Sequence, residues 1–120
     1  MDPPAVKLAV ARIAHEIAED IRDLSTIVVI GIPAGGLGMA RRLAGELGEL
    51  SGGTIPWGSI DAGMHRDDLS SRPAAPLYHT EIPTEIEGLQ VVLADDVMAS
   101  GRTVRAALDA LSSFGRPSCV

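Results

Sequence analysis

Residues 91–103 read Val-Val-Leu-Ala-Asp-Asp-Val-Met-Ala-Ser-Gly-Arg-Thr, and this stretch decides the fold. Its first four residues are apolar without alternation, which is typical of a central parallel strand covered on both faces. Asp95 and Asp96 follow at the carboxyl end of that strand, where open parallel sheets bind their ligands. The stretch therefore predicts a parallel α/β sheet with a binding site at this edge.

The residues after the acid pair favour a phosphorylated sugar as the ligand. Ala99, Ser100 and Gly101 carry little bulk, so the backbone N–H groups of residues 98–103 can surround a phosphate at the start of a helix. The carboxylates of Asp95 and Asp96 would then accept hydrogen bonds from the 2′- and 3′-hydroxyls of a ribose. A solvated strand end, or a metal site as in response regulators, also fits the acid pair, but neither requires the Ser-Gly-Arg-Thr turn.

The order of apolar run, acid pair and Ser-Gly-Arg-Thr turn resembles the signature with which type I phosphoribosyltransferases bind phosphoribosyl pyrophosphate (PRPP). Over residues 9–117 the chain is also similar to PyrR proteins. The further segments that carry this similarity are residues 12–17, Asp61, residues 66–69, residues 82–83 and residues 101–111. The resemblance implies a type I phosphoribosyltransferase-like fold, α/β and doubly wound with a mainly parallel sheet. It also implies a single domain over residues 1–120 that is incomplete on its C-terminal side, because PyrR proteins continue well beyond the segment that ends this chain.

The resemblance implies a function as well. PyrR proteins are bacterial regulators that bind pyr operon mRNA when uridine nucleotides are abundant, controlling transcription termination, and they make UMP and pyrophosphate from uracil and PRPP. We therefore expect a cytoplasmic uracil phosphoribosyltransferase, a pentosyl-transferring glycosyltransferase, that takes part in pyrimidine metabolism. Its expected partners are PRPP, uracil, UMP or UTP, pyr operon mRNA and further copies of itself, without a membrane. Three alternatives remain open: an RNA regulator that senses nucleotides without catalytic turnover, another purine or pyrimidine phosphoribosyltransferase, and a catalytically inactive fragment.

The expected site residues form four groups by resemblance. The catalytic residues are Asp95 and Asp96, and the residues that bind the phosphate and ribose of PRPP or UMP are Val97, Met98, Ala99, Ser100, Gly101, Arg102 and Thr103. The pyrophosphate loop consists of Ile32, Pro33, Ala34, Gly35 and Gly36, and the base of a loop that closes over PRPP consists of Arg66 and Asp67. Mg²⁺ is expected as a cofactor bound through PRPP, without a protein metal site.

The pyrophosphate loop departs from the family pattern. PyrR proteins have a threonine and an arginine where this chain has Ala34 and Gly35. Arginine binds phosphate oxygens through a planar fork, and each charge-assisted hydrogen bond contributes about 1.5–3 kcal/mol. We therefore expect the transferase activity to be weak or absent. The alternative for residues 35–38 is a tight strand-to-helix turn without a ligand.

Composition adds three limits. The net charge of −6 excludes a broadly basic surface for nucleic acids, so RNA binding needs a localised basic face. The single cysteine, Cys119, excludes an internal disulfide and agrees with a reducing compartment. No apolar run reaches the roughly 18 residues of a membrane-spanning helix.

Periodicity predicts the order of the elements. A helix, a strand at residues 27–32 and a second helix open the chain; a strand region at 54–64 and a short edge strand at 78–82 follow, and the strand at 90–94 leads to the last helix. The expected apolar stripes are Val6, Val10, Ile13, Ile17, Ile21 and Leu24 in the first helix, Ala40, Leu43, Ala44 and Leu47 in the second, and Val104, Ala107, Leu108 and Leu111 in the last.

Overall fold

The computed structural model describes residues 3–21, 23–33, 35–60, 82, 85–95 and 102–120, with the backbone alone for residues 3, 102 and 103. Its elements in chain order are α1 (Pro3–Asp20), a 3-10 turn (Leu24–Thr26), β1 (Ile27–Gly31), α2 (Gly35–Ser51), β2 (Trp57–Ser59), β3 (Gln90–Ala94) and α3 (Arg102–Leu111). The sequence predicted all of these helices and strands. The predicted edge strand at 78–82 lies outside the described residues except for Ile82, which is not in a strand.

The described sheet is parallel and has the order β2-β1-β3. In this order β1 lies between the other two strands, and β3, predicted as the central strand, is paired with β1 on one side and with the segment at Cys119 on the other. An apolar run indicates that both faces of a strand are buried, but it does not indicate which strands lie beside it. On the outer edge of β3, Gln90 forms a parallel bridge with Cys119, and the Val91 N–H donates to the Cys119 carbonyl oxygen at 2.9 Å.

Helices cover the described sheet on both faces. Successive residues of a strand point to opposite faces, and β1 is buried along its whole length. On one face the core joins the sheet to α1 and α2, and its buried members are Val10, Ala14, Ile27, Val29, Ala40, Leu43, Ala44, Leu47, Ile55 and Ala94. On the other face the core includes α3, and its buried members are Val28, Ile30, Ile32, Ile60, Ile86, Val91, Ala106, Ala107, Ala110 and Leu111. The predicted doubly wound α/β architecture is confirmed.

Alanines, rather than some of the large apolar residues, complete the buried faces of α1 and α3. Ala14 is fully buried whereas Ile13 is 39% exposed, and Ala110 is buried whereas Leu108 is 40% exposed. The predicted stripes are wrong at Ile13 and Leu108, because a small side chain lets a helix lie close to the sheet and takes the position that a bulky neighbour was expected to fill. None of the described helices combines the length and the apolar character needed to cross a membrane.

Candidate active site at the carboxyl edge of the sheet

The carboxyl ends of the three described strands lie side by side. Gly31 at the end of β1 is in register with Ser59 of β2 and with Ala94 of β3. Hydrogen bonds extend the pairing beyond the strands: the Ile32 N–H donates to the Ala94 carbonyl at 2.9 Å, and the Ile60 N–H donates to the Gly31 carbonyl at 3.1 Å. The chain leaves β1 toward β2 on one side, and β3 lies on the other side. This edge is therefore a topological switch point, the position at which open α/β sheets form a ligand crevice.

The first turn of α2 packs directly on the end of β3. A Cβ atom on Gly36 would collide with the carbonyl oxygen of Ala94 and would lie 3.3 Å from the Cα atom of Asp95. A Cβ atom on Gly31 would collide with the carbonyl oxygen of Gly36. The Gly36 N–H donates to the Ile32 carbonyl at 3.0 Å, which makes the β1–α2 connection a tight turn. The absence of side chains at these two glycines thus brings the loop after β1 onto the start of the loop after β3.

The electrostatics of this edge favour negative charge. The aligned peptide dipoles of the 17-residue helix α2 place partial positive charge at its N-terminus, next to the half-buried Asp95. Helix α3 begins at Arg102, shortly after β3 ends, so its N-terminus belongs to the same side of the sheet. An anionic ligand at this edge meets backbone N–H donors and dipoles from two helices.

The structure brings together part of the predicted site. Ile32, Pro33, Gly35 and Gly36 lie at the carboxyl edge with Asp95, and Gly35 is exposed at the first position of α2. Arg102 and Thr103 form the start of α3. The remaining predicted residues lie outside the described residues, and these are Ala34, Arg66, Asp67, Asp96, Val97, Met98, Ala99, Ser100 and Gly101. The roles assigned to the individual side chains therefore stay predictions.

Sequence reasoning missed two features of this edge. Ser59, at the end of β2, is a buried polar residue in the same row as Gly31 and Ala94, and its only signal was its place before the end of a strand region. The close approach of Gly36 to Ala94 had no signal in the sequence, because it depends on the packing of distant segments. Among the described residues, no three His, Cys, Asp or Glu side chains form a group that could hold a metal ion.

Asp23, which precedes β1, lies at the opposite, amino edge of the sheet. Its carboxylate accepts hydrogen bonds from the hydroxyl and the backbone N–H of Ser25, at 2.5 Å and 3.1 Å, and these bonds lower the pKa of Asp23 below its ordinary value. This carboxylate caps the 3-10 turn that leads into β1. Its lowered pKa is thus a feature of the turn and not of the candidate site.

Comparisons with known proteins show which family the chain resembles. The model of the phosphoribosyl transferase domain family matches residues 2–120. The chain is 43% identical over 121 residues to a bifunctional protein PyrR from Geobacter sulfurreducens, covering 100% of this chain and 68% of that protein. It is 47% identical over 121 residues to a bifunctional protein PyrR from Streptomyces coelicolor, covering 100% of this chain and 63% of that protein. The chain thus spans about two thirds of the length of these relatives.

A solved structure gives the same result for the fold. The purine phosphoribosyltransferase from Pyrococcus horikoshii superimposes with a TM-score of 0.71 at 25% identity, covering 99% of this chain and 70% of that protein.

Proposed function

The chain belongs to the PyrR family of phosphoribosyltransferases, and from this membership we propose that it transfers the phosphoribosyl group of PRPP to uracil, forming UMP and pyrophosphate. The observation that carries the proposal is the contact between the first turn of α2 and the end of β3 at Gly36 and Ala94. PRPP carries a phosphate at one end of its ribose and a pyrophosphate at the other. Two helix N-termini at one sheet edge, with Asp95 beside the contact, provide complementary positions for the two anionic ends and for the sugar between them.

The proposed roles are those that the family resemblance implies for these residues. Residues 97–103 bind the 5′-phosphate, residues 32–36 bind the pyrophosphate, and Arg66 with Asp67 forms the base of a loop that closes over the substrate. The carboxylates of Asp95 and Asp96 accept hydrogen bonds from the ribose hydroxyls and favour the positive charge that develops at the C1 atom. A uracil nitrogen forms its bond to C1 while the bond from C1 to the pyrophosphate oxygen breaks, and that nitrogen gives up its proton. Rate acceleration then comes from positioning and electrostatics, without a covalent intermediate on the protein.

The residues at this edge fit a magnesium ion that arrives with the substrate. Asp95 is the described carboxylate at the crevice, and the described residues contain no group of three potential metal ligands. Magnesium prefers phosphate oxygens and water to an all-protein cage, so the pyrophosphate of PRPP would supply most of its ligands. When bound, the ion neutralises charge on the departing pyrophosphate.

The regulatory half of the proposal is binding of pyr operon mRNA in response to uridine nucleotides, by a cytoplasmic homo-oligomer. Its support is the description of the relatives as bifunctional. The net charge of −6 makes general attraction of RNA weak, so binding should distinguish a pyr leader hairpin from a scrambled hairpin of the same length. A gel-shift titration of both RNAs with and without UMP tests this, and equal affinity for the two hairpins would contradict it.

The transferase is tested by UMP formation from labelled uracil, PRPP and Mg²⁺, together with calorimetric titration of UMP. Asp95→Asn and Asp96→Asn should each weaken UMP binding by about 10- to 150-fold, the equivalent of one charge-assisted hydrogen bond of about 1.5–3 kcal/mol. Asp109→Asn is the matched control, because Asp109 is exposed on α3 and its substitution removes the same charge. Unchanged UMP affinity in both site variants would refute the assignment, and phosphoribosyl transfer to hypoxanthine or guanine in place of uracil would favour the purine alternative.

A further inference from the structure

We propose that Gly36 is a positioning residue that fixes the distance between the pyrophosphate loop and the acid pair, so that only a ligand spanning both depends on it. The proposal rests on the proposed function and adds a determinant of substrate binding that acts through the distance between the loops. It starts from the close approach of Gly36 to the Ala94 carbonyl, where the first turn of α2 meets the end of β3.

The end of β3 cannot move away from a larger residue at position 36. The Ala94 carbonyl oxygen already accepts a hydrogen bond from the Ile32 N–H at 2.9 Å, and Ala94 is in register with Gly31 of the buried central strand. The atoms nearest to a Cβ atom at position 36 are all backbone atoms, and they include the Ala94 carbonyl carbon at 3.2 Å and the Asp95 Cα atom at 3.3 Å. A backbone held by sheet hydrogen bonds does not rotate aside as the end of a flexible side chain does.

The body of α2 cannot move as a unit either. Leu43, Ala44 and Leu47 anchor it in the core against β1. An alanine at position 36 therefore displaces the first turn of α2 and the loop joined to it, while β3 and the rest of the helix remain in place. The predicted pyrophosphate loop, to which Gly36 belongs, moves away from Asp95, and no residue of the loop after β3 is changed.

This displacement affects three ligands differently. UMP engages only the loop after β3, in which no residue is changed. Inorganic pyrophosphate engages only the loop after β1, so its affinity reports any direct effect of the substitution on that loop. PRPP must reach both loops at once, and a misplacement of about 1 Å between groups that act together is enough to cost about 100-fold in rate. Gly36→Ala should therefore weaken PRPP binding at least tenfold more than pyrophosphate binding, an effect of about 1.4 kcal/mol, and leave the affinity for UMP unchanged.

The experiment is a calorimetric titration of the full chain with Mg²⁺ and each of the three ligands separately. Gly38→Ala is the matched control, because it makes the same substitution in the same helix at a position with no heavy atom within 4 Å of the added Cβ. Gly31→Ala displaces the same turn of α2 from the β1 side, since its Cβ would meet the carbonyl oxygen of Gly36. It should reproduce the selective loss of PRPP affinity. Circular dichroism monitors folding, and alanine is the better helix former, which favours a folded Gly36→Ala variant.

Each result decides the proposal. A loss of PRPP affinity at least tenfold greater than the loss of pyrophosphate affinity, with UMP affinity retained and Gly38→Ala unchanged, supports it. An equal loss of all three ligands, or failure of Gly36→Ala to fold, overturns it, because Gly36 would then serve the fold and not the distance between the loops. If the native chain binds UMP and PRPP, and Gly36→Ala binds PRPP equally well, the positioning role is overturned and the proposed function stands. If the native chain binds neither UMP nor PRPP, both are overturned.

Discussion

Replacing Gly35 with arginine should strengthen PRPP binding, because it returns a guanidinium to the place where PyrR proteins have one. Gly35 is exposed at the first position of α2, and the helical backbone has a negative φ that accommodates an L side chain. The side chain would start beside the tight turn at Ile32 and Gly36, at the edge that also holds Asp95. A pyrophosphate at this edge would be within reach of its planar fork.

The magnitude follows from one added charge-assisted interaction. Such a bond contributes about 1.5–3 kcal/mol, which corresponds to about 10- to 150-fold tighter binding of PRPP. Folding stability should change little. Arginine gains up to about 1 kcal/mol over glycine in helix propensity, and a cation at a helix N-terminus costs about 0.3–1 kcal/mol. The gain should therefore appear in ligand affinity and not in the free energy of unfolding.

The assay is calorimetric titration of PRPP with Mg²⁺, and Gly45→Arg is the control. Gly45 is exposed on the same helix with nothing within 4 Å of an added Cβ, and its substitution changes the net charge equally. Equal strengthening in both variants would mean that the acidic chain simply attracts anions better when it is less negative. No strengthening in Gly35→Arg would refute the assignment of residues 32–36 as the pyrophosphate loop.

Three further predictions concern stability. Leu47→Ala, which truncates a fully buried side chain of α2, should lower the free energy of unfolding by about 2–5 kcal/mol in urea titration, whereas Leu50→Ala, at a position that is 41% exposed, should cost much less. Because hydrogen bonds lower the pKa of Asp23 in the folded state, its stabilisation should be present above the unfolded pKa and be lost as the pH falls through the folded one; a carboxyl NMR titration should give a midpoint below 3.8 that moves back toward 3.8 in Ser25→Ala. Gly115→Ala should lower the thermal midpoint, since Gly115 has a φ of +139°, where side chains are strained.

The sequence predicts best what depends on neighbouring residues. The β-branched run of β1 and the three- and four-residue spacing of α2 are local signals, and both elements lie where they were expected. The strand Gln90–Ala94 was predicted with its observed bounds, and the helix expected after it is present, although it ends at Leu111 and not at Gly115. This places Asp95 at the carboxyl end of a parallel strand, as the acid pair after an apolar run indicated.

The sequence predicts poorly what depends on distant segments. The position of β3 beside β1 depends on pairing between strands that are far apart in the sequence. The burial of Ala14 depends on how closely α1 approaches the sheet. The contact of Gly36 with Ala94 belongs to the same class, since a glycine in the sequence carries no mark of the backbone against which it will pack. The family resemblance identified the two loops of the candidate site, but only the fold shows that the first turn of α2 packs on the end of β3.

The pairing of β3 with β1 also bears on the order in which the molecule folds. A hydrogen bond of 2.8 Å at the start of this pairing joins Thr26 to Gln90, which are 64 positions apart. Closing so long a loop costs more chain entropy than forming the local unit of β1, α2 and β2, and non-local pairing is generally slow. We therefore expect the crevice to be completed late in folding, after β1, α2 and β2 have come together. A chain emerging from the ribosome would then hold a β–α–β unit before it has any capacity to bind a nucleotide, and a nucleotide would act on folding only by trapping the last step.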